Sequence, residues 1–437
     1  MPSVDRRSFL GTTVRGLAAA IAAGPTLLGR ANAGFTDFSF LPDTLFLTWQ
    51  RDPTTTMTVQ WVGHAGEHPD IFFSAVQSPL ARFGPGGGSA VWSAAHTTAR
   101  PFPYTDLLVF RAELTGLTPG TEYQFRIGSH AENYRFRTMP TKATNGLSFV
   151  SGGDCGVNSH AAAVNVLAAR QDPHFAVIGG DLAYDNGISP QAVLGFLRNY
   201  SRYMVDSAGR LIPMLACIGN HEVIGGYAKS REAAPLFLSL FDGLFRDHTF
   251  ATLDFGDYLS LVLLDSGHVA PIGGEQADWL GKSLKDRAER PHVFAVNHVP
   301  AYPSYRPADS TGAGNRQFWV PQFEQHNVDI VLEHHDHTFK RTHPLRGGHV
   351  HPDGVLYLGD GSWGQIRAVN GPESRPYLAA TGQAYHVSLH RLEGNHRYHM
   401  ALDESGKIVD VCSSTKRPMH RRPGGYRHAI ASRPRPN

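Results

Sequence analysis

The sequence predicts a mixed α/β (α+β) domain built on short buried strands, with a small all-β sandwich in front of it. Two observations carry this reading. The first is a set of five polar stretches, each following closely on a short apolar run. Gly153-Asp154-Cys155-Gly156 follows Phe149-Val150, and Gly180-Asp181-Leu182-Ala183-Tyr184 follows Phe175-Ala176-Val177-Ile178. Gly219-Asn220-His221-Glu222 follows Met214-Leu215-Ala216-Cys217-Ile218. Asn297-His298 follows Val293-Phe294-Ala295-Val296, and His335-Asp336-His337 follows Val328-Asp329-Ile330-Val331-Leu332. Such runs, separated by helix-length segments, read as buried strands. The second observation is the texture of residues 35–140, where apolar and polar residues alternate without a helical period.

In chain order, the N-terminus carries Arg6-Arg7-Ser8-Phe9-Leu10, a weakly apolar stretch from Leu17 to Leu28, and Ala31-Asn32-Ala33. An arginine pair, an apolar stretch and a small-residue cleavage site in that order read as a twin-arginine signal over residues 1–33. The twin-arginine export machinery is then a partner, and the mature chain starts at Gly34. The apolar stretch is too short and too rich in Ala and Gly for a permanent membrane span, and no later segment qualifies.

Residues 34–140 form the predicted sandwich. Phe46-Leu47-Thr48-Trp49, Met57-Thr58-Val59-Gln60-Trp61, Phe110 to Leu114 and Tyr123 to Ile127 alternate like half-buried strands. Leu117-Thr118-Pro119-Gly120-Thr121 places Pro and Gly where the chain must reverse. The stretch from Leu117 to Tyr123 resembles the turn and following strand of fibronectin type III domains. Gly84-Pro85-Gly86-Gly87-Gly88 reads as a flexible loop. No catalytic constellation occurs here, so this part reads as a spacer or a wall for the site. After a polar linker, Thr141 to Gly146, the α/β domain covers residues 147–411, with helices expected over 160–170, 191–203 and 275–287. Residues 412–437 are rich in Arg, Pro and His and read as a basic, disordered tail.

At 437 residues the chain is long enough for two or three domains. Its net charge of +2 selects no polyanionic partner, and no stable nucleic-acid complex is expected. The cysteines, Cys155, Cys217 and Cys412, are odd in number and expected to be reduced, with a Cys155–Cys217 bridge as the alternative.

Ligands of an open α/β sheet gather at the carboxyl ends of its strands. The five stretches therefore bring two Asp, one Tyr, one Asn and three His to one edge of one sheet. Hard oxygen donors mixed with imidazoles suit divalent or trivalent transition metals. Seven donors exceed the needs of one ion, so a two-metal site is inferred. Asp181 can bridge two cations through its two oxygens. Tyr184 can return its phenol to the same place, where a highly charged ion would stabilise the phenolate. A buried tyrosine with a hydrogen-bonded hydroxyl is the plain alternative. Asn220 supplies a neutral amide oxygen, which keeps the negative charge low enough to admit a phosphate, and His221 can hydrogen-bond a phosphoryl oxygen. His298 ends its strand, with a core histidine as the alternative. His335 and His337, two apart on an extended backbone, would face the same way, and His334 would point elsewhere.

With these residues in this order, the chain from about Leu45 to Val411 resembles the calcineurin-like metallophosphoesterases, and among them the purple acid phosphatases. The resemblance implies the metallophosphoesterase sandwich fold and hydrolysis of a small-molecule phosphate ester by a metal-activated hydroxide. It implies that Asp154, Tyr184 and His337 hold Fe3+, that Asp181 bridges, and that Asn220, His298 and His335 hold Zn2+, Mn2+ or Fe2+. His221 becomes the catalytic residue and, with Asn220, a substrate contact. Two departures stand out. The family's last motif usually begins with Gly, where this chain has the bulkier His334, expected to shift the strand end. Many plant and animal members also carry a histidine, in the stretch after the fourth motif, that protonates the leaving group. Val299 to Arg306 contains none, and the next histidine is His326. Tyr305 and Arg306 are expected to replace its substrate contact, with His221 or bulk water supplying the proton. A phosphomonoesterase is the leading reading. A phosphodiesterase acting on nucleotides or phospholipid head groups comes second, and a catalytically inactive exported binding module third.

Overall fold

The computed structural model describes residues 42–66, 70–76, 91–128, 132–143 and 146–416. The expected export signal, the Gly84–Gly88 stretch and residues 417–437 of the basic tail lie outside the described residues.

Eight strands come first: β1 (Phe46–Thr48), β2 (Met57–His64), β3 (Ile71–Ala75), β4 (Ser93–Ala95), β5 (Thr98–Pro101), β6 (Leu107–Leu114), β7 (Glu122–Ile127) and β8 (Tyr134–Arg137). They make two four-stranded antiparallel sheets, β1-β2-β6-β5 and β4-β3-β7-β8. The alternation read in β7 decides its faces: Tyr123, Phe125 and Ile127 are buried while Glu122, Gln124 and Arg126 are half-buried. A fully buried aromatic such as Phe125 contributes roughly 2–3 kcal/mol through area removed from water. The predicted reversal is present. Gly120 takes a positive φ of 63°, and Tyr123 Oη accepts a hydrogen bond from Thr118 N at 2.9 Å. β2 is buried along most of its length because the sandwich leans on the next domain. There Gln60 Nε2 donates to Leu240 O at 2.9 Å, and Trp49 packs edge-on against Phe175 and Phe255.

The α/β part contains β9 (Leu147–Gly152), β10 (Ala176–Ile178), β11 (Met214–Ala216), β12 (Ala251–Phe255), β13 (Leu259–Leu263), β14 (His292–Asn297) and β15 (Ile330–Glu333). β16 (Phe339–Thr342), β17 (Leu345–Arg346), β18 (His349–Val350), β19 (Leu356–Asp360), β20 (Leu378–Gly382), β21 (His386–Glu393), β22 (His396–Asp403) and β23 (Ile408–Thr415) follow. The main helices are α1 (Ser159–Ala169), α2 (Pro190–Tyr203), α3 (Pro235–Phe241) and α4 (Glu275–Lys285). Asn158 caps α1 by accepting from Ala161 N, and α2 begins with a Ser189 cap and Pro190 in its first turn.

The sequence reading places all five motif strands in one sheet. The fold uses two. One is ordered β11-β10-β9-β21-β22-β23 and the other β12-β13-β14-β15-β19-β16-β20. They face each other through Phe149 of β9 and Phe294 of β14, whose rings meet edge-on at 5.4 Å. A four-residue apolar strand is buried on both faces in either arrangement, so its composition cannot say which sheet it joins. The tail boundary also moves. β23 pairs with β22 as far as His396↔Thr415, which draws the first residues of the expected tail into the sheet. None of the three cysteines is in a disulfide, and no helix among the described residues is long and apolar enough to cross a membrane.

Candidate metal centre

β9, β10 and β11 run parallel, so the residues after them leave adjacent strands at one level. Asp154, Asp181 and Asn220 come from that sheet. β14 and β15, parallel in the second sheet, deliver His298, His335 and His337 from the opposite side. The backbone does the aiming. Asp154, Asp181, Tyr184, His335 and His337 take positive φ values of 56°, 53°, 59°, 72° and 58°. A left-handed backbone costs a residue with a Cβ roughly 1–2 kcal/mol, and such strain concentrates at functional sites. Five of the seven candidate ligands carry it. β15 ends at Glu333, so left-handed turns, and not the strand alternation expected for His335 and His337, bring both rings inward.

All seven candidates converge. Tyr184 Oη donates to Asp154 Oδ1 at 3.2 Å and lies 3.0 Å from His337 Nε2, itself 2.9 Å from Asp154 Oδ1. On the other side His298 Nε2 lies 3.2 Å from Asp181 Oδ2, 3.2 Å from Asn220 Oδ1 and 3.0 Å from His335 Nδ1. One donor atom each from Asp154, Asp181, His298 and His335 fits within a 4.8 Å cluster, and all four residues are buried.

The electrostatics ask for cations. Burial, and then the Asp154 and Asp181 carboxylates, push the Tyr184 phenol far above its ordinary value, so it ionises only beside a strong positive charge. Burial also opposes charge on His298, yet Asp181 and Asp154 outweigh it and push the imidazole up to about 9. For Asp181 burial is again the largest influence, and His298 with His221 outweighs it to hold the carboxyl low. The two carboxylates thus favour positive charge at this point. Two carboxylates, a phenol, an amide and three imidazoles gathered at one place fit transition-metal ions.

Neighbouring residues hold this arrangement. Glu222, to which the sequence reading gave no role, accepts from Asp181 N (2.8 Å), Leu182 N (2.7 Å) and Gly219 N (2.7 Å), tying two motifs together. Burial, then Asp181 and Asp185, push its carboxyl up to about 8. His334 does point elsewhere. Its ring lies over Gly153 and Gly179, where a Cβ on Gly179 would come within 1.9 Å of it, and its Nδ1 lies 2.9 Å from Asn297 O. Two glycines accommodate the bulk expected to shift the strand end, and His335 and His337 keep their contacts.

At the rim, His221 donates its backbone N–H to Asp181 Oδ1 (2.9 Å), and its ring lies against Tyr184 at 4.3 Å. Its Nδ1 is 2.5 Å from Asn186 Oδ1, and its side chain is 32% exposed. Burial lowers its pKa. Tyr305 is exposed beneath the Arg367 guanidinium, 5.2 Å from its ring. Arg306 turns to the ligand loop, where Nη1 donates to His335 O and to Asp336 Oδ1 (3.1 Å). Two rim residues escaped the sequence reading. Arg367 donates its backbone N–H to His337 O (2.8 Å) and brings Nε within 3.2 Å of His337 Nδ1. Tyr227 Oη lies 3.2 Å from His335 Nε2 and 3.4 Å from Asn220 Oδ1, and burial, then Asp181, push its pKa up to about 12. Gly225-Gly226 just before Tyr227 was the available signal. Arg367 sits in a loop with none.

The chain matches the family described as Purple acid Phosphatase, N-terminal domain over residues 42–138, and Calcineurin-like phosphoesterase over residues 153–339. It is 26% identical over 348 residues to an uncharacterized protein of Mycobacterium tuberculosis, covering 69% of this chain but only 62% of that relative's length. Acid phosphatase type 7 of Mus musculus is 24% identical over 412 residues, covering 84% of this chain and 90% of that protein. Purple acid phosphatase 21 of Arabidopsis thaliana is 23% identical over 352 residues, covering 75% and 77%. A purple acid phosphatase from yellow lupin seeds superposes with a TM-score of 0.65 at 17% identity, over 85% of this chain and 74% of that one, a likeness of fold.

Proposed function

We propose, from the premise that the chain belongs to the calcineurin-like metallophosphoesterases of the purple acid phosphatase type, that it is an exported hydrolase of small phosphate monoesters. One observation carries the reading: seven donors from two sheets, five on left-handed backbone, converge around the buried Asp181. Asp154, Tyr184 and His337 would hold Fe3+. Asp181 would bridge, and Asn220, His298 and His335 would hold Zn2+, Mn2+ or Fe2+. When bound, such a pair supplies Lewis-acid charge and a water acidic enough to ionise near neutral pH.

The chain's own residues supply placement. Glu222 fixes the backbone of Asp181 and Gly219, so the bridging carboxylate cannot drift. Asn220, being neutral, leaves the site able to accept a phosphate dianion. His221, held by Asn186 and the Asp181 carboxylate, offers its exposed edge to a phosphoryl oxygen. Tyr305, with the Arg367 guanidinium over its ring, would give the ester's organic part an aromatic face beside a positive charge. Arg306 acts on the substrate through His335, whose carbonyl it holds. Export follows from Arg6-Arg7 and Ala31-Asn32-Ala33, by a route that carries folded proteins.

The test is a paired assay of purified, metal-replete mature protein on p-nitrophenyl phosphate and bis-p-nitrophenyl phosphate, with Asp181→Ala as control. Faster turnover of the monoester supports the reading. Preference for the diester moves the substrate class to phosphodiesters. Activity on neither, or activity that survives Asp181→Ala, removes the two-metal hydrolase.

A further inference from the structure

We propose that Tyr227 contacts the leaving-group oxygen of the substrate as a hydrogen-bond donor, in place of the histidine absent after His298. The proposal rests on the hydrolase reading above.

Three observations carry it. The first is rigidity. Gly225 and Gly226, with φ of 80° and 77°, and Ala228, with φ of 52°, swing the chain over the site. Ala228 N then donates to Gly267 O (2.9 Å) and Lys229 N to His268 O (3.0 Å). The Tyr227 ring lies against the buried His268 ring at 4.8 Å, and His268 Nδ1 is 3.0 Å from Gly226 O. The second is access: Tyr227 is 43% exposed although its hydroxyl reaches two candidate ligands.

The third is the hydrogen-bond count. His335 turns Nδ1 toward His298 Nε2 (3.0 Å) and the cluster, and Nε2 toward Tyr227 Oη (3.2 Å). An imidazole that binds a cation through Nδ1 carries its proton on Nε2, and that N–H points at an acceptor. The acceptor here is Tyr227 Oη. The hydroxyl's own hydrogen is then left to place. Asn220 Oδ1 at 3.4 Å is a long, weak acceptor and a candidate ligand itself, so the hydrogen is available to a substrate oxygen.

Position selects which oxygen. His221 stands at the Tyr184 rim and Tyr227 at the His335 rim. Attack and departure at phosphorus are in line, so a water attacking from the side of the buried Asp181 sends the departing oxygen outward, to the rim where the exposed Tyr227 stands. The bond from phosphorus to that oxygen breaks as a water oxygen bonds to phosphorus. Tyr227 keeps its proton and steadies the developing charge; the attacking water gives one proton up to solvent, and solvent protonates the released group.

The test is Tyr227→Phe in the metal-loaded mature enzyme, assayed on aryl phosphates from p-nitrophenyl to phenyl phosphate. Metal content and inhibition by inorganic phosphate are measured alongside. A donor to a developing negative charge is worth about a hundredfold, so kcat on phenyl phosphate should fall by about that factor while kcat on p-nitrophenyl phosphate stays within about threefold. Metal content and phosphate inhibition should not change. Tyr227→Gln, which restores an N–H donor, should recover part of the loss on phenyl phosphate. An equal loss on every ester, loss of metal, or no loss at all overturns the proposal; the first two make Tyr227 a positioning residue for His335. A wild-type enzyme inactive on every ester overturns the hydrolase reading with it, so the two failures are told apart.

Discussion

β14 carries a buried histidine at its first residue and another just past its last, and the two have opposite character. His298, beyond the carboxyl end, is pushed up to about 9 because Asp181 and Asp154 outweigh its burial. His292, at the amino end, is pulled down to about 3, first by burial and then by Arg397, whose Nη1 lies 3.3 Å from its Nδ1. His174, leading into β10, is likewise pulled to about 3 by burial and then Arg137. Burial alone lowers an imidazole's pKa. For His298 two carboxylates reverse that sign, whereas for His292 and His174 a guanidinium adds to it; His335, at the same end as His298, stays far below its ordinary value through burial and then the charge of His298. A histidine count carries none of this. The end where buried carboxylates outnumber cations is the end that can hold metal.

The largest expected effect is at the centre of that excess. Asp181→Ala removes the carboxylate proposed to bridge the two ions, which faces His298 at 3.2 Å. Partners outside the ligand shell already cost 10–100-fold in affinity or activity, so metal content and ester hydrolysis should both fall by at least about a hundredfold. Elemental analysis of the purified variant beside its turnover checks this. Metal retained at wild-type level would mean that the acidic end is not a metal site, and the contrast between the strand ends would lose its meaning.

A matched pair on β14 comes next. His298→Ala should weaken retention of the divalent ion at least about tenfold, whereas His292→Asn should leave metal content unchanged. Dialysis against a chelator, followed over time for both variants, reads the difference. Parallel metal loss in the two would break the comparison.

The neutral set makes its own prediction. For His292 and His174 the folded value of about 3 lies below the ordinary 6.5, so on acidification the unfolded chain takes up the proton first. Each is without penalty above about pH 6.5 and destabilises the fold as the pH drops toward 3, by up to roughly 1.4 kcal/mol per pH unit. Denaturant titrations at pH 7, 6 and 5 should show a slope that His174→Gln reduces. An unchanged slope would mean that burial and the neighbouring guanidinium do not hold this ring neutral.

The convergence of the candidate ligands was legible in the sequence because each sits just past an apolar strand, and because metal chemistry accepts only a few side chains. Asp181 and Asn220 are examples. The seven donors come together although the reason offered for His335 and His337 was wrong, since a left-handed turn at a strand end leaves no pattern in the residues. The division into two sheets was illegible for a related reason: Phe294-Ala295-Val296 is equally at home in either. Supporting groups were the hardest to see. Glu222 reads as a helix former, Tyr227 and Arg367 as loop residues. His334 looked like an intruder until Gly153 and Gly179 showed where its ring goes.

The smallest effect belongs to Arg367, which tests how far the charge contrast reaches. Its Nε–H faces His337 Nδ1 at 3.2 Å, an arrangement that needs a bare nitrogen there. His337 Nε2 faces Asp154 and Tyr184. If that nitrogen binds a cation, the ring proton must sit on Nδ1, and two N–H groups then confront each other. The guanidinium should leave His337, remain anchored through its backbone N–H to His337 O, and turn with Tyr305 toward the opening. Arg367→Ala should therefore change metal retention little and raise KM for an anionic aryl phosphate by up to about tenfold, the worth of one exposed charge-assisted contact. The increase should shrink in high salt, because an exposed contact is screened. A variant that instead loses metal with KM unchanged would show that Arg367 acts on the ligand and that cation demand extends to the rim.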